Sequence, residues 1–364
     1  MNTLGLYIHV PFCGKKCRYC DFYSVSYTSS NADAYTDAVL RNIEHYSDKT
    51  AVLDTVYFGG GTPSLLSAEQ LSKFITHIKT YFELSDNAEI TLEANPNTLT
   101  YEKLAKLREI GINRLSIGVQ SMLDDELKLL GRTHTAERAV KSVYAAEKAG
   151  FGNISCDLMT ALPNQTAEKL RLSIDRMAEL PIQHISAYIL KIEKGTPFDC
   201  NEIRNAVPTD DETAELYMTM TERLREKGFF QYEVSNFSKR GFESRHNCRY
   251  WKCLDYIGIG PSAHSCYKGK RFAAAPDIKA FIGSPVQQTE ITDSSPCGFE
   301  EFSMLRLRLA EGLDLKDVEA HRSDIEKKIP PLIQAGYVKY NGEKVSLTEK
   351  GFLMSNSVIE YLIF

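Results

Sequence analysis

Apolar positions along the chain follow two rhythms. Compact runs rich in β-branched and aromatic residues recur at 3–11, 51–58, 88–94, 114–120, 153–159 and 184–190, and predict six strands. Between them the spacing turns helical. Ala34, Tyr35, Ala38, Val39, Ile43 and Tyr46 share one face of a helix over 31–46. Leu71, Phe74, Ile75, Ile78 and Phe82 do the same after Ser67, whose partner Gln70 completes a capping box. Further helices are predicted over 100–109, 124–130, 135–149 and 166–179, with Gly111 and Gly150 as stops. Such alternation specifies a parallel sheet with right-handed crossovers. A closed eightfold barrel needs about 250 residues, and the six units here take about 190. The expected fold is therefore α/β, a partial (β/α)6 barrel, with a doubly wound sheet as the alternative. Both place a site at the carboxyl ends of the strands.

Residues 191–297 are less regular. A helix over 209–227 stops at Gly228, Gln231–Ser235 reads as a further strand, and the stretch from Ser284-Pro285 to Ser295-Pro296 reads as a linker. Beyond it, helical patterns at 299–309 and 315–334 precede alternating segments around Asn341-Gly342, a hairpin signal. Helices, hairpin and a last helix predict a winged-helix-like unit. The expected organisation is 1–200 as the barrel carrying the cofactor sites, 201–297 as its extension, and 298–364 as the C-terminal unit.

Composition narrows the class. The net charge is −5, and residues 298–364 hold nine Lys and Arg against eleven Asp and Glu, so no nucleic acid partner is expected. No apolar run reaches 18 residues and the first residues lack a signal-peptide pattern, so neither a transmembrane segment nor export is expected. Nine cysteines, an odd number without disulfide-scaffold spacing, fit a reducing cytoplasm.

Candidate chemistry gathers where strands end. Cys13, Cys17 and Cys20 follow the first strand at C-x3-C-x2-C spacing, with no fourth Cys or His in the next twenty residues. Three thiolates suit a [4Fe–4S] cluster with one open iron, or zinc completed by a distant ligand. Gly59-Gly60-Gly61-Thr62-Pro63 ends the second strand, Glu93 the third and Gln120 the fourth, and Asp157 lies within the fifth. Buried strands are otherwise apolar, so this ring of polar features marks one mouth.

The cysteine spacing, with Tyr19 before the last thiol, resembles the signature of the radical S-adenosylmethionine (SAM) superfamily. In that superfamily the open iron chelates SAM, whose reduction yields methionine and a 5′-deoxyadenosyl radical. The resemblance implies a cluster on Cys13, Cys17 and Cys20. It also implies SAM contacts from Tyr7, Tyr19, Gly60, Gly61, Thr62, Glu93, Gln120, Arg132, Asp157 and Ala187. Arg132 would pair with the SAM carboxylate.

Over nearly the whole chain the pattern resembles the oxygen-independent coproporphyrinogen III oxidase family, which holds oxidative decarboxylases and a heme-chaperone branch. The decarboxylases carry a fourth cysteine two positions after the third, where this chain has Phe22, and an extension before the first strand. His246-Asn-Cys-Arg-Tyr250-Trp251 resembles the H-N-x-x-Y-W motif of the chaperone branch, or else forms a packed loop anchored by Trp251. The resemblance implies a heme chaperone that serves acceptor hemoproteins, with transient membrane docking left open. Its alternatives are coproporphyrinogen III dehydrogenase and a radical SAM enzyme for another substrate. His246 is the first candidate heme ligand, with Tyr250 or Trp251 stacking nearby and His264 and His9 in reserve. The other six cysteines are expected to be ordinary buried or partly buried thiols.

Overall fold

The computed structural model describes residues 2–364. The six predicted strands form: β1 (Asn2–Val10), β2 (Ala51–Gly60), β3 (Glu83–Ala94), β4 (Arg114–Gln120), β5 (Ile154–Thr160) and β6 (His184–Ile189). They lie side by side in chain order, each pair parallel. Later segments widen the sheet. β7 (Phe230–Gln231) and β8 (Asn236–Ser238) extend it antiparallel beyond β6. On the other flank β9 (Tyr256–Ile259) runs parallel to β1, followed by antiparallel β10 (His264–Tyr267), β11 (Lys270–Ala274) and β12 (Thr289–Asp293). The twelve-stranded sheet is open, with β12 and β7 at its edges.

Three expectations need correction. Residues 231–235 are not one strand: they hold the end of β7 and the turn to β8, whose side chains Glu233 and Asn236 bond each other across the turn. The proposed linker carries β12, an edge strand hidden by side chains that are mostly exposed and, apart from Ile291, polar. The helix over 315–334 is broken at Val318, so a 3-10 stretch, Leu315–His321, precedes the α-helix Arg322–Gln334.

Strand alternation gives the parallel sheet two different faces. Leu4, Leu6, Ile8 and Val10 of β1, Val56 and Phe58 of β2 and Leu115 and Ile117 of β4 are fully buried against the helices. Those helices contribute Tyr35 and Val39 of α1 (Ser29–His45) and Leu71 and Phe74 of α2 (Ala68–Tyr81). The predicted capping box starts α2, with Ser67 and Gln70 bonded reciprocally. The intervening strand residues are polar yet also sheltered: Thr55 and Tyr57, Thr91 and Glu93, Arg114 and Ser116, Ser155 and Asp157, His184 and Ser186. Register aligns them, since Tyr57 stands beside Thr91, Thr91 beside Arg114, Ser116 beside Ser155, and Asp157 beside Ser186.

The last residues form a separate three-stranded sheet, Leu313–Asp314, Lys344–Leu347 and Val338–Tyr340 in spatial order, surrounded by helices. The Asn341 side chain accepts the N–H groups of Glu343 and Lys344 and shapes the predicted hairpin turn. Among the described residues no helix is long and apolar enough to cross a membrane.

Candidate cofactor site

The cysteine loop leaves the carboxyl end of β1 and is pressed against the glycine turn that ends β2. Gly61 N–H donates to Val10 O at 2.8 Å and Thr62 N–H to Phe12 O at 2.7 Å. A Cβ on Gly61 would sit 2.6 Å from Phe12 O, and one on Gly60, whose φ is +107°, 2.7 Å from the His9 ring. These glycines are therefore required by contact with the end of β1 and the residues that follow it. Farther along, Arg18 N–H donates to Leu130 O at 3.2 Å and Phe198 N–H to Arg18 O at 3.1 Å, which tethers the loop across the mouth.

Cys13, Cys17 and Cys20 are reduced and partly exposed on this loop. Burial pushes the Cys20 thiol up, and the neighbouring Cys17 and Cys13 add to the rise. Cys13 Sγ lies 3.7 Å from Thr62 Oγ1, and Arg132 Nη1 donates to Cys17 Sγ at 3.3 Å. Among the described residues no three Cys, His, Asp or Glu side chains close around a single metal ion. Three neighbouring thiols with a guanidinium beside one of them suit a thiolate-bound group that carries negative charge.

Beneath the loop lie two half-buried carboxylates, Glu93 and Asp157, near Arg114 and Arg132 but in no direct ion pair among the described residues. Glu93 accepts Tyr57 O–H at 2.8 Å and Gly60 N–H at 3.1 Å, and Asp157 accepts Ser116 O–H at 3.3 Å. Burial pushes Glu93 up to about 7, helped by the charge of Asp157, and pushes Asp157 up to about 6. Arg132 reaches the same space: Nη2 donates to Gly118 O at 2.6 Å, while its buried Nε has no partner. Gln120, in left-handed backbone at φ +73°, is buried there too, and its Nε2 would lie 3.0 Å from a Cβ on Gly118. Two carboxylates that no cation bonds directly and an arginine with a spare donor fit an amino-acid ligand that is also a cation, as SAM is. Of the sequence-predicted residues, the structure brings Cys13, Cys17, Thr62, Glu93, Gln120, Arg132 and Asp157 to this mouth. Tyr7 lies beside Glu93 and bonds His9 Nδ1 at 3.1 Å, Tyr19 lies near Cys17, Arg132 and Asp157 with its ring 6.3 Å from that of Phe198, and Ala187 offers backbone, its N–H donating to Ser235 O. Tyr57 and Ser116 were not foreseen, although their place in the polar alternation of β2 and β4 marks them.

The motif at 246–251 lies at the other end. It is a helix, Arg245–Trp251, capped by Ser244, and not a loop. Glu89, near the start of the parallel part of β3, accepts the N–H groups of Arg245 and His246 at 3.2 and 3.1 Å. Arg249, buried at 2% side-chain exposure, pairs with Asp54 at 2.5 Å and donates to Thr3 O and Asp255 O. A Cβ on Gly5 would lie 2.7 Å from the Arg249 side chain. Gly5 is five residues before Val10, so Arg249 meets β1 about 15 Å from the cysteine loop, whereas His246 reaches up to Tyr57, the partner of Glu93. His246 is fully buried and bonded at both ring nitrogens, Nδ1 to Thr55 Oγ1 at 2.9 Å and Nε2 to Tyr250 O–H at 2.8 Å. Its ring stacks on Tyr57 at 5.1 Å, and burial pushes its pKa down to about 3. No ring nitrogen is left for a heme iron in this arrangement, and Trp251 faces the C-terminal unit, under Arg308 at 5.8 Å. His264, by contrast, is exposed at the start of β10, near His9, with no hydrogen bond to its ring among the described residues.

Comparison with known proteins agrees with this geometry. The Radical SAM superfamily model matches residues 7–177, and the HemN C-terminal domain model matches residues 299–354. A relative named heme chaperone HemW from Lactococcus lactis is 35% identical, with 97% of this chain and 96% of that protein covered. Another of that name from Bacillus subtilis is 36% identical, with 97% of each covered. The solved coproporphyrinogen III oxidase (HemN) from Escherichia coli superposes with a TM-score of 0.84 at 22% identity, over 100% of this chain and 90% of that one, a likeness of fold. Three thiols, an open parallel sheet and full-length relatives converge: the chain belongs to the radical SAM superfamily and, within it, to the HemW family.

Proposed function

We propose that the protein is a cytoplasmic heme chaperone. Cys13, Cys17 and Cys20 hold a [4Fe–4S] cluster, Glu93, Gln120, Arg132 and Asp157 hold SAM against it, and heme docks at the same mouth before transfer to an acceptor hemoprotein. The observation that carries the reading is end-to-end likeness to proteins named heme chaperones, against 22% identity to the oxidase. The structure adds support at Phe22, 61% exposed on the cysteine loop, and at Tyr188 and Ile189, exposed at the end of β6. These apolar side chains rim the mouth and suit a flat apolar ligand. His264 replaces His246 as the proposed heme ligand, because it is exposed at that end of the sheet with its ring unbonded.

A bound cluster supplies one-electron transfer. The chain's own residues bind and orient: Arg132 offers its spare N–H to a carboxylate, and Glu93 and Asp157 balance a cation. Residues 1–200 would act as the cofactor-binding barrel, 201–297 as its extension and 298–364 as an interaction unit. The test is anaerobic reconstitution of the cluster, then heme titration and coproporphyrinogen conversion in parallel. Heme should be retained and coproporphyrinogen left unchanged. Turnover at about 1 s⁻¹ or faster would hand the protein to the dehydrogenase alternative. One equivalent of zinc without iron would remove the cluster from the reading.

A further inference from the structure

Three more thiols meet away from the mouth. Cys253, Cys266 and Cys297 line one cavity of about 200 Å³, together with Tyr250 and the Arg271–Glu301 ion pair. Cys297, on the segment before the C-terminal unit, shares that cavity wall with Cys253 and Cys266. All three are reduced, Cys266 buried and the other two half-buried.

The backbone singles out two of the three. Cys253 and Cys297 both adopt left-handed conformations, φ +53° and +64°, which side chains other than glycine rarely accept. Cys253 closes the helix that carries His246: Leu254 N–H bonds Arg249 O at 3.0 Å, the turn in which glycine is usual. Cys297 stands two residues before the helix Phe299–Leu307 that opens the C-terminal unit. Two costly backbone positions thus carry two thiols that line one cavity at the seam between those helices.

We propose that Cys253 and Cys297 form an oxidisable dithiol, closed to a disulfide by a small disulfide such as oxidised glutathione, with Cys266 as the competing partner for Cys297. The Cys297 thiolate attacks one sulfur of oxidised glutathione, forming a mixed disulfide and expelling one glutathione thiolate. The Cys253 thiolate then attacks Cys297 sulfur in that mixed disulfide and expels the second. Two protein thiols are oxidised, two electrons reduce one oxidised glutathione, and the two thiol protons end on two molecules of glutathione. Burial pushes the Cys266 and Cys297 thiols up to about 11 and about 12, so exchange is slow near neutrality and quickens with pH. The bond would fasten the C-terminal unit to the helix beneath the barrel, independently of whether heme is the cargo.

The full chain, purified reduced, is incubated with oxidised glutathione at about pH 8.5, alkylated and digested with trypsin. The expected product joins peptide 253–268 to peptide 280–306, lighter by two hydrogens than the separate thiol peptides, and fragmentation places the bond at Cys253. Cys266→Ser should keep the link and Cys253→Ser should lose it. Free, alkylated Cys253 and Cys297, or glutathione adducts alone, would overturn the proposal. A link that fragmentation places at Cys266, or that survives Cys253→Ser, would overturn the assignment of the pair. The wild-type fragmentation decides the matter even if a variant does not fold.

Discussion

The two ends of the same sheet interior make opposite use of polar residues. At the floor, the charged groups around the helix are paired: Arg249 meets Asp54, Glu89 takes two helix N–H groups, and His246 is bonded at both nitrogens, while Trp251 Nε1 alone of that helix's buried side-chain donors lacks a partner among the described residues. At the mouth, groups are left incomplete: three reduced thiols, two carboxylates raised by burial, and an arginine Nε without a partner. A satisfied buried network specifies a structure, whereas an incomplete one waits for a ligand. A motif that looks like chemistry in sequence can therefore be a seal, and its partners decide which it is.

The largest effect should come from breaking the floor. Arg249→Ala leaves Asp54 and two carbonyls without their donor, and should cost about 3–5 kcal/mol of stability in urea unfolding. A loss under about 1 kcal/mol would make the floor as incidental as a surface ion pair. The mouth should behave differently. Arg132→Ala should weaken SAM binding by about 1.5–3 kcal/mol while the cluster still assembles and the fold holds. Calorimetry showing unchanged affinity would return Arg132 to a purely structural role.

Glu93 sharpens the contrast through its sign. Its folded pKa, about 7, lies above that of an ordinary glutamate, so the fold favours the protonated form. Stability from this group is present in acid and is lost as pH rises through about 7. Glu93→Gln should then stabilise the ligand-free protein at pH 8 by on the order of 1–2 kcal/mol and weaken SAM binding. A cationic ligand favours the ionised carboxylates, so SAM should bind more tightly at pH 8 than at pH 6. Thermal melts in which Glu93→Gln is the less stable protein at pH 8 would contradict this. The smallest effect is expected at the C-terminal unit, where a duplex-binding assay should show no salt-sensitive association.

How far this was legible in sequence follows from the same division. The six strands, the α2 capping box and the cysteine loop are written in local spacing, and they form as expected. The ring of polar strand ends was visible as well, because each lies at the end of a β-rich run. The deeper polar alternation of β2 to β6 was equally local and went unused, which is why Tyr57 and Ser116 were missed. Other features depend on distant partners. β9 is four residues with a central glycine, stabilised by pairing with β1 across the chain. The seven-residue helix Arg245–Trp251 is fixed by Glu89 and Asp54, which no local pattern connects to it.

The most direct test of the division sets the two histidines side by side. His246→Gln keeps a donor and an acceptor for Thr55 and Tyr250 but removes the imidazole, and His264→Ala removes the exposed ring at the mouth. Both variants, brought to equal folded fraction by circular dichroism and reconstituted with the cluster, are titrated with heme while the Soret band is followed. His264→Ala should shift the band or lose heme, and His246→Gln should match the wild type. Loss of heme by His246→Gln, with His264→Ala unchanged, would contradict the account and place the heme at the floor.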